Sequence, residues 1–195
     1  MNRDTIAKWF QDGGNNTHYV DYPLNVSSLV VDVGGYKGDW VAAIVQRYNP
    51  YVWVFEPIEE FYVVCKECFK DNPKVSVYNY GLSDKDEEQG IALRDDASAV
   101  CAEGTRRIVL KDAASILSGI HVDLISINIE GSEYTVLPKM LESGVAILCK
   151  YIQVQFHWKG IEGCVAMRDA IRSKLAETHN ESYCYQFVWE SWTRR

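Results

Sequence analysis

Two groups of residues have the types and spacing to do chemistry. The first is Val31-Asp32-Val33-Gly34-Gly35-Tyr36-Lys37-Gly38, at a predicted strand-to-helix junction. Glycines there let the chain turn sharply and bring its backbone close to a ligand, and the following helix offers free amides. Glu56 closes the next predicted strand. An acid at that point can accept hydrogen bonds from both hydroxyls of an adenosine ribose. Together the two features point to a nucleoside cofactor. The pattern Gly34-Gly35-x-x-Gly38 departs from the G-x-G-x-x-G of dinucleotide sites, and Asp32 would repel a pyrophosphate at the turn. A carboxylate there favours a ligand with an ammonium or sulfonium group. That ranks S-adenosylmethionine ahead of NAD, and an NAD-dependent oxidoreductase is the rival reading.

The second group is Asn128, Glu130, Glu133 and His157, at the predicted carboxyl ends of two later strands. Methyl transfer from a sulfonium needs an aligned nucleophile and a group to take up its proton. His157 is the first choice for that base, because histidine titrates nearest neutrality. Glu130 and Glu133 come next, and Glu130 could also cap a helix or bind the cofactor's amino group. Asn128, Glu130 and His157 could instead surround Mg²⁺ or Zn²⁺, but Asn128 removes one charge, so no metal is expected. His18, His121 and His179 lack clustered partners and read as surface or turn residues. Cys65-Lys-Glu-Cys68 has metal or redox spacing without a second pair, so both cysteines are expected on the buried face of a helix.

The elements that must hold these groups alternate β-branched runs with helical periodicity, which reads as α/β with a mostly parallel sheet. Strands are expected at 29–33, 51–55, 74–80, 122–129, 151–156 and 183–189. Helices are expected at 39–47, 58–69, 113–117 and 132–141, followed by one carrying Met167, Ile171 and Leu175. Pro138 should kink or split its helix. Residues 83–112 form an antiparallel excursion, with strands at 89–93 and 107–110 and a charged turn at Arg94-Asp95-Asp96. Ile6, Trp9 and Phe10 make a short amphipathic helix closed by Gly13-Gly14, either packed on the sheet edge or serving as a lid. One final strand leaves a truncated C-terminal region. Its aromatic run places Trp192, with Tyr36, as a possible wall for a ring-shaped acceptor.

The motifs in this order resemble those of the FkbM-type S-adenosylmethionine-dependent methyltransferases. The Val31–Gly38 segment is similar to their glycine-rich first motif, Phe55-Glu56-Pro57 to their acidic second motif, and Asn79-Tyr80-Gly81-Leu82-Ser83-Asp84 to the segment after their third strand. The run from Asp123 through Asn128-Ile129-Glu130-Gly131 to Glu133 is similar to their block after the fourth strand. The resemblance spans roughly residues 29–157 and implies a Rossmann-like class I methyltransferase fold, with O-methylation as the usual activity. It implies that Asp32, Gly34, Gly35, Tyr36 and Gly38 line the methionine end of the cofactor. Glu56 and Pro57 would hold the ribose, and residues 79–82, with Gly81 and Leu82, would flank the adenine. Tyr36, Ser126 and Asn128 stand where the family usually has asparagine, lysine and aspartate. These departures leave open a protein that binds the cofactor but methylates poorly.

Composition bounds the rest. The chain has 195 residues, enough for a single domain over 1–195 with residues 1–28 as an N-terminal helix and loop. A net charge of −7, from 20 basic and 27 acidic residues, disfavours a polyanion partner, so no nucleic acid is expected. The expected partner is a small-molecule or glycan hydroxyl acceptor, neutral or cationic, with a second copy of the chain completing the site if it dimerises. No apolar run is long enough to span a bilayer and no secretory signal is visible. The six cysteines, Cys101 included, therefore read as reduced thiols in a cytoplasmic protein.

Overall fold

A computed structural model describes residues 3–94, 97–100 and 106–195. In chain order the first half contains α1 (Arg3–Gln11), β1 (Leu29–Val33), α2 (Asp39–Tyr48), β2 (Tyr51–Phe55), α3 (Glu59–Phe69) and β3 (Val75–Tyr78). The excursion follows as β4 (Gly81–Ser83), β5 (Glu87–Arg94), β6 (Ala97–Val100) and β7 (Arg106–Asp112). The chain then runs through α4 (Ala113–Ile116), β8 (Val122–Ile127), α5 (Glu133–Glu142) and β9 (Cys149–Val154). It ends with α6 (Cys164–Leu175), β10 (His179–Tyr185) and β11 (Trp189–Arg194).

Among the described residues, seven strands form one sheet in the order β10-β11-β9-β8-β1-β2-β3. β1 pairs in parallel with both β2 and β8, and β9 continues the parallel run. The chain thus winds outward from β1 to β3, then crosses back to β8 on the other side of β1. In such sheets the crevice outside the carboxyl ends at this reversal is where ligands bind. The excursion forms a second sheet, β4-β7-β5-β6, in which β5 pairs antiparallel with both β6 and β7. Asp95, Asp96 and Cys101 lie outside the described residues.

Alternation along the parallel strands gives the sheet two apolar faces. Val31, Val33, Ile125, Ile127, Ile152 and Val154 point to one side, under α5 and α6. Val30, Val52, Val54 and Leu124 point to the other, under Trp40, Val41 and Ile44 of α2. Pro138 does not split α5, which runs unbroken from Glu133 to Glu142. Proline removes one backbone hydrogen bond, while Val136, Leu137 and Met140 are fully buried and hold the helix on the sheet.

The C-terminal region is not truncated. The expected single strand at 183–189 is the end of β10, a turn and the start of β11, paired antiparallel from His179↔Arg194 to Tyr185↔Trp189. The turn closes with Val188 N–H donating to the Tyr185 carbonyl (2.8 Å), and Phe187 adopts φ 58°. Gln186-Phe187-Val188 contains none of the residues that usually mark a turn, so the aromatic run hides it. Trp192 is buried in the main core beneath the Arg172 guanidinium, far from a role as an acceptor wall beside the half-exposed Tyr36.

The N-terminal segment docks on this hairpin. Trp9 is buried, meets Tyr185 edge-on with centroids 5.1 Å apart, and donates through Nε1 to Asn15 Oδ1 at 2.7 Å. Phe10 faces outward. Further on, the Tyr22 hydroxyl donates to Gln153 Oε1 and pairs with the Ser191 hydroxyl, each at 3.0 Å, tying the segment across β9 and β11. Trp9→Ala is expected to lower stability by about 3 kcal/mol or more in denaturant unfolding. Amide exchange in α1 should accelerate first, and unchanged protection there would refute the assignment of Trp9 as the anchor.

Candidate functional site

The first site group converges on the reversal between β1 and β8. The Gly34 amide donates to the Phe55 carbonyl at 3.0 Å, and the Asn128 amide donates to the Val33 carbonyl at 3.0 Å. The glycine turn is thereby tied to both neighbouring strands. Gly34 adopts φ +94°, and a Cβ there would lie 2.1 Å from the Asn128 carbonyl oxygen. A Cβ at Gly35 would lie 2.3 Å from Val54 Cγ1. These two glycines are therefore required by the packing of the turn itself, a tighter constraint than ligand access alone. Gly38, at φ 87°, precedes the first residue of α2.

Glu56 is almost fully buried, and its carboxylate organises the turn. Oε2 accepts from the Tyr36 amide at 2.7 Å and Oε1 from the Ile58 amide at 2.8 Å. A carboxylate has about four lone-pair sites, so each oxygen keeps one for a ligand. Burial pushes the Glu56 pKa up to about 7 against the pull of those two amides. Asp32 is buried beside it. Burial, reinforced by the like charge of Glu56, raises its pKa well above the usual carboxylate range.

Tyr36 takes a left-handed conformation (φ 47°), and its ring meets Phe61 at 4.4 Å. The Cys65 thiol donates to the Tyr36 carbonyl at 2.9 Å, so this cysteine braces the turn. Cys68 is exposed, which corrects the expectation of two buried thiols. The 3.6-residue period of α3 turns positions 65 and 69 inward and leaves 68 off that face. The five described cysteines are all free.

A cavity of about 450 Å³ opens between Pro57, Ile58, Asn79, Ile91, Arg106 and Ile108. Gly81 packs between Leu110 and Pro57. Leu82 is corrected: its side chain lies in the main core, so only its backbone can border the cleft.

The second group is also brought together. His157 Nδ1 lies 3.1 Å from Glu133 Oε1, and Nε2 lies 3.3 Å from Glu130 Oε2. Burial alone would lower the His157 pKa, but the two carboxylates outweigh it and push it up to about 9. His157 therefore holds its proton at neutral pH and does not titrate near neutrality as expected. Asn128 sits at the end of β8 with its side-chain Oδ1 buried and without a hydrogen-bond partner. Among the described residues no group of three or more His, Cys, Asp or Glu side chains is arranged to hold a metal ion.

Sequence reasoning did not find Tyr19 or Tyr134. Burial and the charges of Asp32 and Asp39 raise the Tyr19 pKa, and its carbonyl accepts from Trp40 Nε1 at 2.9 Å. The Tyr134 hydroxyl donates to the His157 carbonyl at 2.5 Å. Tyr134 follows Glu133 directly, which was the available signal. His179 is a buried core histidine, bonded through Nε2 to the Cys149 carbonyl (3.0 Å), and not a surface residue.

No protein-family model matches the sequence, and no curated protein matches it significantly. Solved structures do match. The methyltransferase FkbM from Methylobacillus flagellatus KT aligns with a TM-score of 0.61 at 13% identity, over 89% of this chain and 45% of that one. This chain thus spans less than half the length of that relative. A fibrillarin/Nop5p complex gives 0.58 at 11% identity, over 96% of this chain and 81% of that one. A putative rRNA-methylase from Clostridium thermocellum gives 0.54 at 11%, over 88% of each chain. The fold is that of the class I methyltransferases. In that fold the crevice at the β1–β8 reversal, with Asp32, Glu56 and Asn128 around it, is the candidate site.

The raised Glu56 pKa has a sign that can be checked. A carboxyl whose folded pKa lies above its unfolded value contributes stability below the unfolded pKa and loses it as pH rises through the folded one. With an ordinary value of 4.5 and a folded value of about 7, the free protein should lose stability from near pH 4.5 to above pH 7. Glu56→Gln should flatten that slope in denaturant melts at pH 5 and pH 8. Equal slopes in both proteins would refute the raised Glu56 pKa.

Proposed function

We propose that this chain is an S-adenosylmethionine-dependent methyltransferase that acts on a hydroxyl of a small molecule or sugar. The observation that carries the reading is the unmet demand for donors around the glycine turn. The Asn128 Oδ1 acceptor is buried and unmatched, and the charge acting on Asp32 is the like charge of Glu56. A buried acceptor or carboxylate without a partner is costly. S-adenosylmethionine brings an ammonium, a sulfonium and two ribose hydroxyls, so the residues present fit it. A pyrophosphate would instead meet Asp32 and Glu56 with like charge.

Asp32, Asn128 and the Gly34-Gly35-Tyr36 turn into Gly38 would hold the methionine end, and Glu56 the ribose. Pro57, Asn79 and the backbone at Gly81 and Leu82 would border the base, in or beside the cavity that Pro57 and Asn79 line. When bound, the cofactor supplies a methyl group already activated by its sulfonium. The protein then has to align a hydroxyl and provide for its proton, which falls to Glu130 and His157 at the ends of β8 and β9. The chain's net charge of −7 favours a neutral or cationic acceptor. One structural neighbour is a putative rRNA-methylase, so a structured RNA belongs in the acceptor panel as a control.

Calorimetry is expected to give heat with S-adenosylmethionine and S-adenosylhomocysteine and none with NAD, and Glu56→Ala should abolish it. Binding of NAD alone would replace the reading with an oxidoreductase. Unchanged affinity in Glu56→Ala would remove the ribose assignment. Labelled methyl transfer to at least one member of a panel of glycans and natural-product alcohols is expected. Label in RNA and in none of the alcohols would overturn the acceptor class.

A further inference from the structure

Glu133 is fully buried at the start of α5, yet its carboxylate reaches two strand-end loops at once. Oε2 accepts from the Gly131 amide at 2.8 Å. Oε1 accepts from the His157 amide at 2.5 Å and lies 3.1 Å from that residue's Nδ1. On the other side of His157, the Tyr134 hydroxyl donates to its carbonyl. Main chain and ring of His157 are therefore both clamped by neighbours on one helical turn. The loop before α5 is held in turn: Glu130 and Gly131 have φ of 51° and 106°, conformations that an unbraced Glu-Gly pair would rarely keep.

This clamp decides which group faces an acceptor. The ionisable side chains facing the imidazole are Glu130 and Glu133, one at each nitrogen. An imidazole with a carboxylate at each nitrogen satisfies both by donating twice, and a ring that donates twice is an imidazolium with no lone pair to offer. Of the three side chains, Glu133 is sealed and His157 largely covered, while Glu130 is 38% exposed. The carboxylate open to solvent is that of Glu130.

Resting on the methyltransferase reading, we propose that Glu133 is a positioning residue. It fixes His157 as the protonated partner of Glu130 and leaves the Glu130 carboxylate to receive the proton of the acceptor hydroxyl. The bond from acceptor oxygen to methyl carbon forms as the sulfur–methyl bond breaks, with that electron pair left on sulfur. The acceptor O–H bond breaks as well, its proton passes to Glu130, and solvent removes it from this half-exposed side chain. His157 keeps its proton throughout and supplies the positive charge that holds Glu130 in place.

Histidine-resolved NMR titration of the full chain, without cofactor, tests the clamp independently of activity. His157 is expected to stay protonated past pH 8 in the wild type. In Glu133→Gln its midpoint should fall by about one unit or more towards the ordinary ~6.5, and Glu133→Asp should restore part of the shift. Glu130→Gln should lower the midpoint too, which keeps the test alive if Glu133→Gln folds poorly. With the best alcohol of the panel, Glu130→Gln should lower kcat by ~10²-fold at unchanged cofactor KM. Wild-type turnover should not rise with the His157 midpoint. An unmoved His157 midpoint in Glu133→Gln, or turnover that rises with that midpoint, overturns the proposal. If no alcohol is methylated, the functional reading fails, while the titration still decides what Glu133 does.

Discussion

No side chain fits at Gly34, because the Asn128 carbonyl occupies the space a Cβ would need. The close approach of these two backbones is the constraint on which the crevice depends. It brings the end of β8 against the turn after β1, and so sets Asn128 and Glu130 next to the glycine turn. The same turn lets the Tyr36 amide reach Glu56 at the end of β2, which fixes the third wall of the crevice. A larger residue at position 34 would push β8 away from the turn and separate Asp32 and Glu56 from Asn128 and the residues that follow it.

Electrostatics in the two halves of the crevice follow opposite logic. Around the glycine turn, Asp32 and Glu56 are buried with like charge, and burial disfavours their ionised forms. Such an arrangement is unfavourable in the free protein and favourable when a cation or several donors arrive. At the ends of β8 and β9 the carboxylates are compensated internally by His157. One half is left wanting a ligand, and the other is already balanced. This contrast separates a group built to bind from a group built to stay in place.

Much of the fold was legible because the parallel strands carry β-branched runs and the helices show a clear 3.6-residue period, as with Cys65 and Phe69 turned inward on α3. The first group of candidate residues could be read for the same reason: they are local in sequence and sit at strand ends. What was hidden depends on tertiary contact. The turn at Gln186-Phe187-Val188 carries no turn residue, so the last hairpin read as a single strand. The His157 pKa depends on carboxylates more than twenty residues away, and those distances exist only in the fold. The helix through Pro138 is held by buried Val136, Leu137 and Met140, which a local rule about proline does not see.

The Tyr22 hydroxyl bonds to Gln153 and Ser191 across sequence separations of 131 and 169 residues. Those bonds join the start of the chain to nearly its last strand. During synthesis residues 19–22 can meet α2 early, through Trp40 Nε1 to the Tyr19 carbonyl and the Tyr48 hydroxyl to the Val20 carbonyl. The contacts of Trp9 and of the Tyr22 hydroxyl instead wait for β9 to β11, long after β1 to β3 can assemble. Closing so long a loop carries an entropic cost that local contacts do not offset. Helix α1, carried by Trp9, should be the last part to dock and, with the hairpin it rests on, should behave as one late-folding unit at the far edge of the sheet.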